Sequence, residues 1–363
     1  MPRSAPQPTP FGTTPAGEPV TRWRLASPCG VHAEVLTHGG VLHALGVPDT
    51  AGRTANVVLS LPSLDQYAEK SPYLGALIGR YANRIAHGRL TLDGAAHQVP
   101  VNDRGHALHG GPDGFDARVW QAEPYTEGDT SALRLSLHSP DGDMGFPGAL
   151  DVTATYALDA AGTLSLEFTA TTDRATVVSL SNHAYFNLAA DGRDVLDHTL
   201  QVTATGYLPV APDGIPLGPV AATGGTPFDL GAPRPLRDGV LDEGDAQVRA
   251  AGGYDHCWTL ADHESAVPRR AARLATADES RVMEVWTTAP GLQVYTANQL
   301  DGTLGDPDGR PLVRHGAVCL EAQHYPDAPN RPGYPSPVLR PGDTARRRTE
   351  LRFPHLAAPG SSS

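Results

Sequence analysis

The sequence predicts an all-β protein built as one large antiparallel β-sandwich. Apolar and polar residues alternate over many short runs, which is the period of a half-buried strand. Asp-Gly pairs, which favour tight hairpin turns, recur along the chain. No segment sustains the i, i+3, i+4, i+7 apolar spacing of an amphipathic helix over three turns. Short strands joined by turns, packed as two layers, account for all three observations.

The clearest strand pair is predicted on either side of Ala161-Gly162. Apolar residues occupy every second position over 152–158, and the same pattern resumes over 164–170. These two segments are therefore expected to be neighbouring antiparallel strands. Similar short runs predict strands at Val31–Leu36, Leu133–Leu137, Leu200–Thr205, Val282–Thr287, Leu292–Thr296 and Ala317–Ala322.

The chain is predicted to hold a single β-sandwich domain over residues 18–356. Strand-like runs continue from Pro19 to Phe353 without a long linker or a change in composition. Residues 1–17 are rich in Pro, Ser and Thr, and we expect a flexible N-terminal tail there, with a second flexible tail over 357–363. No fixed-period repeat is visible, which argues against a propeller.

Charge and cysteine content restrict the classes of partner. The 363 residues carry a formal net charge of -12, so no overall basic field attracts nucleic acid. Cys29, Cys257 and Cys319 are widely spaced and lack CxxC spacing, which predicts reduced thiols. The N-terminus lacks the apolar segment of a secretion signal, and no run of about 18 apolar residues occurs. We expect a soluble cytoplasmic protein without a membrane partner.

Two segments carry residues suited to proton transfer. Glu321 lies inside an apolar run, where burial would raise the pKa of its carboxyl toward that of a general base. His183 is a candidate acid, and in an extended strand it would share one face with Tyr185 and Asn187. A single histidine among apolar neighbours is also common as a hydrogen-bonded core residue, so the pattern alone leaves both interpretations open.

Four further positions are candidate ligand contacts. His109 precedes two glycines that would allow close approach of a ligand, although a simple turn explains them equally well. Arg84, next to Asn83, offers a fork of donors for hydroxyl oxygens. Asp255 lies among aromatic residues, as carboxylates of sugar sites do, or it begins an Asx-turn. Gln293 is a polar residue among apolar strand neighbours, which an outward orientation would explain equally simply.

Other kinds of chemistry lack their sequence signatures. There is no HExxH motif, and His106 and His109 would share a face only on a helix, which the adjacent glycines disfavour. A metal site is therefore not indicated. Gly-x-Gly-x-x-Gly, Walker and Gly-x-Ser-x-Gly motifs are absent as well. Lys70 is the only lysine and lies in a polar segment, which argues against a Schiff-base mechanism.

Taken together, these motifs resemble the aldose 1-epimerase (galactose mutarotase) family. The matching segments follow one another in the family's order and span nearly the whole chain. They are Gly79–Ala86, Leu108–Gly111 with Gly114–Asp116, Asn182–Leu188, Tyr254–His256, Leu292–Thr296 with Leu300–Gly302, and Cys319–Gln323 with Pro326–Ala328.

The resemblance implies a β-sandwich of the galactose mutarotase type, with a sugar cleft on one face and neither a metal nor an organic cofactor. It implies His183 as general acid and Glu321 as general base. The substrate-binding positions that it implies are Asn83, Arg84, His109, Tyr185, Asp255 and Gln293.

The function implied by the resemblance is interconversion of the α and β anomers of free aldohexoses such as galactose and glucose. The partner is a monosaccharide, and a monomer or homodimer is expected. Two alternatives are a non-catalytic sugar-binding sandwich and a hexose-6-phosphate 1-epimerase. The chain departs from the family at His106-Ala107, before Leu108, and at Ser181, where threonine is usual. Of the two nearby arginines, Arg84 and not Arg80 matches the family's ligand-binding arginine.

Overall fold

The computed structural model of the protein describes residues 5–356, apart from the side chain of residue 70. This part of the chain contains 28 strands, three α-helices and five short 3-10 helices. The strands are β1 (Pro8–Thr13), β2 (Pro19–Ala26), β3 (His32–Leu36), β4 (Leu42–Pro48), β5 (Thr54–Asn56), β6 (Leu77–Ile78), β7 (Arg84–Ile85), β8 (Arg89–Leu92), β9 (Ala95–Gln98), β10 (Ala107–Leu108), β11 (Gln121–Glu127), β12 (Thr130–Ser139), β13 (Leu150–Leu158), β14 (Leu164–Thr172), β15 (Thr176–Val177), β16 (Ser181–Asn182), β17 (Tyr185–Phe186), β18 (Thr199–Val202), β19 (Gly206–Leu208), β20 (Ala221–Ala222), β21 (Arg234–Pro235), β22 (Asp255–Thr259), β23 (Arg269–Ala275), β24 (Val282–Thr287), β25 (Gly291–Tyr295), β26 (Val318–Gln323), β27 (Val338–Leu339) and β28 (Ala345–Arg352). The α-helices are α1 (Leu64–Lys70), α2 (Arg237–Val240) and α3 (Ala246–Ala251), and the 3-10 helices span Ala86–Gly88, Phe115–Ala117, Asp143–Gly145, Ala328–Asn330 and Pro354–Leu356.

Three large antiparallel sheets share one apolar core, which confirms the predicted all-β sandwich. A nine-stranded sheet has the order β11-β12-β13-β14-β28-β24-β23-β18-β21. A six-stranded sheet has the order β17-β26-β25-β22-β19-β20, and β1 to β5 form a third sheet in chain order. Buried residues of all three sheets, such as Leu25, Tyr156 and Leu320, belong to the same core cluster. Alternating side chains place one face of each strand in this core.

The strand pair predicted around Ala161-Gly162 is present. β13 and β14 pair antiparallel with Val152 opposite Ala170 and Leu158 opposite Leu164. The Asp93-Gly94 pair also forms the expected hairpin turn, between β8 and β9. Both turn residues have positive φ, 50° and 81°, which fits the turn type that Asp-Gly favours.

The N-terminal segment differs from the predicted tail. Residues 8–13 form β1, which pairs antiparallel with β2 at the edge of the five-stranded sheet. Phe11 packs its ring 5.1 Å from that of His43, so this segment has an apolar anchor that its Pro-rich composition obscured. Prolines are tolerated in an edge strand. The predicted C-terminal tail, 357–363, lies outside the described residues, and the single-domain interpretation of 18–356 stays a prediction.

The six-stranded sheet has two chemically different faces. Leu292, Val294 and Leu320 point into the shared core. Because neighbouring residues of a strand alternate between faces, Gln293 and Glu321 project from the opposite face. Every residue of β26 is nevertheless buried, so loops cover this second face as well. Among residues 5–356, no helix has the length and apolar character needed to cross a membrane.

Arg80 is a buried residue whose side chain bonds to the segment between β12 and β13. Its side chain is 2 % exposed and donates to the carbonyl oxygens of Ser139, Pro140, Pro147 and Gly148, at 2.7–3.1 Å. It also donates to the Ser139 hydroxyl. Burial lowers the pKa of the guanidinium to about 10, which leaves it charged at neutral pH. Arg80 therefore supplies side-chain donors to a set of buried carbonyl acceptors, of which that of Pro140 also accepts from the Asp143 N–H.

We expect Arg80→Leu to lower the free energy of unfolding by at least about 3 kcal/mol, because each buried acceptor left without a donor costs about 1–3 kcal/mol. Chemical denaturation monitored by tryptophan fluorescence measures the change. Arg89→Leu is the matched control: Arg89 is exposed in β8, and its loss should change stability by less than about 0.5 kcal/mol. Equal stability of the two variants would contradict a structural role for Arg80.

Candidate active site

The buried second face of the six-stranded sheet carries most of the residues that the sequence singled out. In the register of β25 and β26, Gln293 lies opposite Glu321 and Tyr295 lies opposite Cys319. Tyr185 of β17 pairs with Cys319 from the other side, and Asp255 of β22 pairs with Tyr295. Antiparallel pairing thus brings together residues separated by more than a hundred positions in the chain.

Glu321 and His183 form the centre of this face. The Nε2 atom of His183 is 3.6 Å from the Oε1 atom of Glu321, and the two side chains are 6 % and 2 % exposed. Burial raises the pKa of the Glu321 carboxyl well above its usual value, and the nearby Asp255 carboxylate raises it further. Burial lowers the pKa of His183 to about 4. Nδ1 of His183 and Oε2 of Glu321 lack a hydrogen-bond partner within the described chain.

Tyr185 fixes the orientation of the His183 imidazole. The two rings are stacked, with centroids 5.0 Å apart and an interplanar angle of 23°. The Tyr185 hydroxyl donates to the carbonyl of Pro72 at 2.9 Å, so it is already engaged in the protein. Asn187, which the sequence placed on the same face, instead donates its amide to the carbonyls of Arg193 and Gly316. Strand β17 ends at Phe186, so Asn187 lies in the following loop and its side chain holds that loop in place.

A hydrogen bond from the backbone of Asn83 fixes the tautomer of His109. The Asn83 N–H donates to Nδ1 of His109 at 3.1 Å, and the His109 N–H donates to the Asn83 carbonyl. Nδ1 is therefore an acceptor, which leaves Nε2 as the N–H donor of a neutral ring. Burial lowers the pKa of His109 well below its usual value, and positive charge on Arg84, or on His183 when it is protonated, acts in the same direction. The centroid of the His109 ring lies 5.3 Å from that of His183, in an edge-on arrangement.

Arg84 supplies the positive charge of the site. Its Nε donates to Asp103 at 2.9 Å, and its side chain is 7 % exposed. The charge is close enough to Glu321 to lower the pKa of that carboxyl against the larger effect of burial. Asp103 therefore holds the guanidinium in place and leaves its other nitrogens for a ligand.

Asp255 and Gln293 form a hydrogen-bonded pair on the adjacent strands. Nε2 of Gln293 donates to Oδ1 of Asp255 at 2.7 Å. The Oε1 atom of Gln293 is buried and has no hydrogen-bond partner within residues 5–356. Each member thus fixes the other while retaining an oxygen that can accept from a hydroxyl group. All eight residues predicted from the sequence belong to this one cluster.

Comparison with known proteins agrees with this geometry. A family profile described as aldose 1-epimerase matches residues 21–352. The galactose mutarotase of Rattus norvegicus is 40 % identical over 347 residues, covering 95 % of this chain and 97 % of the rat protein. The chain belongs to the aldose 1-epimerase family. It is therefore an isomerase that interconverts anomers of aldoses, as the sequence motifs implied.

Further relatives agree on family and fold. The aldose 1-epimerase of Escherichia coli K12 is 36 % identical over 341 residues, covering 93 % of this chain and 96 % of the bacterial protein. The crystal structure of a galactose 1-epimerase from Lactobacillus acidophilus superposes with a TM-score of 0.84 at 28 % identity, and the match covers 96 % of this chain and 98 % of that one. The β-sandwich is thus of the galactose mutarotase type.

The central residues also form a donor set that could hold a metal ion. One ligand atom each from His109, His183 and Glu321 lies within 4.8 Å of the others. Two imidazoles and a carboxylate suit Zn²⁺, but ligands of a tetrahedral zinc lie about 3.3 Å apart for metal–ligand bonds near 2.05 Å. The 3.6 Å between His183 and Glu321 would have to contract slightly. The resemblance implied no metal, and this donor set makes that expectation testable.

Two tyrosines of the site were missed by the sequence analysis. The Tyr73 ring lies 4.6 Å from that of His109, and the Tyr295 ring lies 6.3 Å from that of His183. Tyr295 belongs to the Leu292–Thr296 motif, and its period-two spacing from Gln293 was the available signal. Tyr73 comes from a loop with no strand pattern, so no signal pointed to it.

The two departures from the family pattern lie beside the site. His106 is buried, accepts the His87 N–H at its Nδ1 and places Nε2 3.2 Å from Asp213. Ser181 donates its hydroxyl to the carbonyl of Ala322 at 3.0 Å, next to Glu321 in β26. Both residues hold the backbone, and neither contacts the acid–base pair directly.

We expect the His183 imidazole to titrate near pH 4, because burial disfavours its charged form. The ring is then neutral throughout the range from pH 5 to pH 7 in the free protein. Nitrogen-15 NMR of the imidazole measures the midpoint, and the spectrum of a His183→Gln variant assigns the signal. A midpoint near 6.5, the value of an unperturbed histidine, would contradict this description of the site.

Proposed function

We propose that this isomerase acts on free aldohexoses such as galactose and glucose, with His183 as general acid and Glu321 as general base. The observation that supports the assignment is the 3.6 Å approach of a buried imidazole to a buried carboxylate. The substrate is inferred from relatives named galactose mutarotase and galactose 1-epimerase. Residue roles follow from the chemistry of anomer exchange.

Anomer exchange needs two proton transfers around one carbon. A cyclic aldose is a hemiacetal: opening requires removal of the C1-hydroxyl proton and protonation of the ring oxygen. Rotation about C1–C2 and reclosure then give the other anomer. The two oxygens are bonded to the same carbon, so the base and the acid must lie within a few ångströms of each other. Glu321 takes the first proton, His183 delivers the second, and their roles reverse on closure.

The shifted pKa values increase the driving force of both transfers. A carboxylate whose pKa is raised is a stronger base, and an imidazolium whose pKa is lowered is a stronger acid. Burial also makes the ionised pair, an imidazolium beside a carboxylate, the less populated form before the sugar binds. The two residues together carry one proton. It is on His183 before ring opening and on Glu321 afterwards, because His183 gives a proton to the sugar while Glu321 takes one from it.

The remaining side chains orient the sugar. The Nε2–H of His109 and the remaining nitrogens of Arg84 stabilise the sugar oxygen that gains negative charge. Both donors are held in place before the sugar binds. Asn83, Asp255 and Gln293 hold the other hydroxyl groups, and Tyr185 acts through its stacking on His183. Each of the six substrate-binding positions that the resemblance implied thereby has a role.

The alternatives receive less support. A non-catalytic sugar-binding protein would not need a buried carboxylate against an imidazole, whose burial is costly. A hexose-6-phosphate epimerase would need a cationic pocket, whereas the arginine of this site is bonded to Asp103. We further propose a cytoplasmic location, since Cys29, Cys257 and Cys319 are free thiols, and a monomer or homodimer as the assembly.

We expect Glu321→Gln and His183→Asn each to reduce kcat for anomer exchange by about 10²–10⁴-fold, the range for loss of a positioned acid or base. Polarimetry on freshly dissolved α-galactose, corrected for spontaneous mutarotation, measures the rate. Glu123→Gln and His138→Asn are matched controls on the nine-stranded sheet, where both side chains are mostly exposed. Wild-type rates in either site variant would refute its role, and circular dichroism checks folding.

We expect prolonged dialysis against a chelator to leave kcat unchanged, because the proposed proton transfers use the same three side chains that a metal would occupy. Elemental analysis of the dialysed protein verifies that metal has been removed. A loss of activity that added Zn²⁺ restores would instead assign these residues as metal ligands.

A further inference from the structure

We propose that Tyr73 forms a wall of the sugar site and that its hydroxyl binds one of the substrate hydroxyl groups at C2, C3, C4 and C6. This inference rests on the proposed function of the site. None of the motifs that identify the family includes this residue, and it lies in the turn that joins α1 to β6. Its placement, its fixed backbone and its unengaged hydroxyl each support the assignment.

The Tyr73 ring lies against both histidines of the site. Its centroid is 4.6 Å from that of His109 in an edge-on arrangement and 5.9 Å from that of His183 in a stacked one. Tyr185 stacks on His183 as well, yet among residues 5–356 no close ring contact joins Tyr73 to Tyr185. The two tyrosines therefore approach the imidazole from different sides. Tyr73 is partly exposed, whereas Tyr185 is buried, so Tyr73 lies on the side open to a ligand.

The backbone that carries Tyr73 is hydrogen-bonded to His183 itself. The Gly75 N–H donates to the carbonyl of His183 at 3.0 Å, and the His183 N–H donates to the carbonyl of Ala76 at 2.9 Å. Pro72, on the other side of Tyr73, accepts the hydroxyl of Tyr185. The backbone on both sides of Tyr73 is thus tied to the segment that carries His183 and Tyr185.

The turn keeps Tyr73 in a conformation that tyrosine rarely adopts. Its φ is 63°, and Gly75 follows with φ of 72°. A Cβ atom on Gly75 would lie 2.5 Å from the carbonyl oxygen of Leu42, so glycine is required there. A non-glycine residue in the left-handed region costs free energy and persists where the surrounding structure holds it. Such residues concentrate at ligand-binding sites, and Asn83 and His109 share this conformation.

The Tyr73 hydroxyl is available to a ligand. It makes no hydrogen bond to any other group in the described part of the chain, unlike the hydroxyls of Tyr185 and Tyr295. The charged and titratable groups that face it are Asp116, Asp103, Arg84, His109 and His183. Burial and the two carboxylates raise the pKa of Tyr73 to about 12, so the phenol stays protonated. A protonated phenol both donates and accepts, which suits a sugar hydroxyl, and its ring covers C–H groups.

The test compares Tyr73→Phe and Tyr73→Ala with the wild-type protein, using polarimetry with galactose. Tyr73→Phe removes only the hydroxyl and should raise KM about three- to tenfold with kcat little changed, as for loss of one hydrogen bond to bound sugar. Tyr73→Ala also removes the ring and should raise KM by a further ~3- to 10-fold. Tyr125→Phe and Tyr125→Ala are the matched controls on β11 and should leave KM unchanged.

Deoxygenated sugars identify the partner of the hydroxyl. We expect the KM penalty of Tyr73→Phe to disappear with one of 2-, 3-, 4- and 6-deoxygalactose and to persist with the other three. An unchanged KM in Tyr73→Phe, or an equal penalty with all four analogues, overturns the hydrogen bond. An unchanged KM in Tyr73→Ala overturns the proposal that the Tyr73 ring forms a wall of the sugar site.

Direct binding separates this inference from the proposed function. The dissociation constant of galactose, measured by calorimetry on the same variants, should rise in parallel with KM. Failure of the wild-type protein to accelerate anomer exchange would sink the proposed function. The dissociation constants of the Tyr73 and Tyr125 variants would still decide whether Tyr73 binds sugar.

Discussion

The antiparallel pairing of β25 with β26 is the constraint on which the site depends. It places Gln293 opposite Glu321 at the centre of a sheet whose strand β26 is buried on both faces. A shift of register by one residue would turn Glu321 into the apolar core and expose Leu320 to the site. The carboxylate is thus held by backbone hydrogen bonds rather than by a partner of opposite charge. Its basicity follows from that burial.

The polar groups around Glu321 are arranged in pairs that satisfy and fix one another. Arg84 is bonded to Asp103, Gln293 to Asp255, and His109 to the backbone of Asn83. Each pair leaves at least one polar atom directed to the site, so the donors and acceptors are set before a sugar arrives. This preorganisation lets a buried, largely uncompensated carboxylate persist in the fold. The cost of its burial is offset by the large core that the three sheets share.

Much of the fold follows from local sequence. The period-two runs around Ala161-Gly162 correctly predicted β13 and β14, and Asp93-Gly94 formed the expected turn, because alternation and turn chemistry act over a few residues. The boundary of the N-terminal tail was missed because Pro-rich composition resembles disorder, whereas pairing with β2 depends on a neighbouring strand. Asn187 was placed on the wrong face because its strand ends one residue earlier than the alternation suggested.

The sequence by itself determined the chemistry available to this protein: a carboxylate in an apolar strand, two histidines beside glycines and amides, and motifs in the order of one family. Only the tertiary structure decided that Glu321 and His183 meet at 3.6 Å, that Arg80 donates to the backbone after β12, and that Tyr73 lies over the imidazoles. The physical reason is that local patterns report which side of a strand a residue occupies. Distances between strands and loops far apart in the chain arise only when the sheets pack.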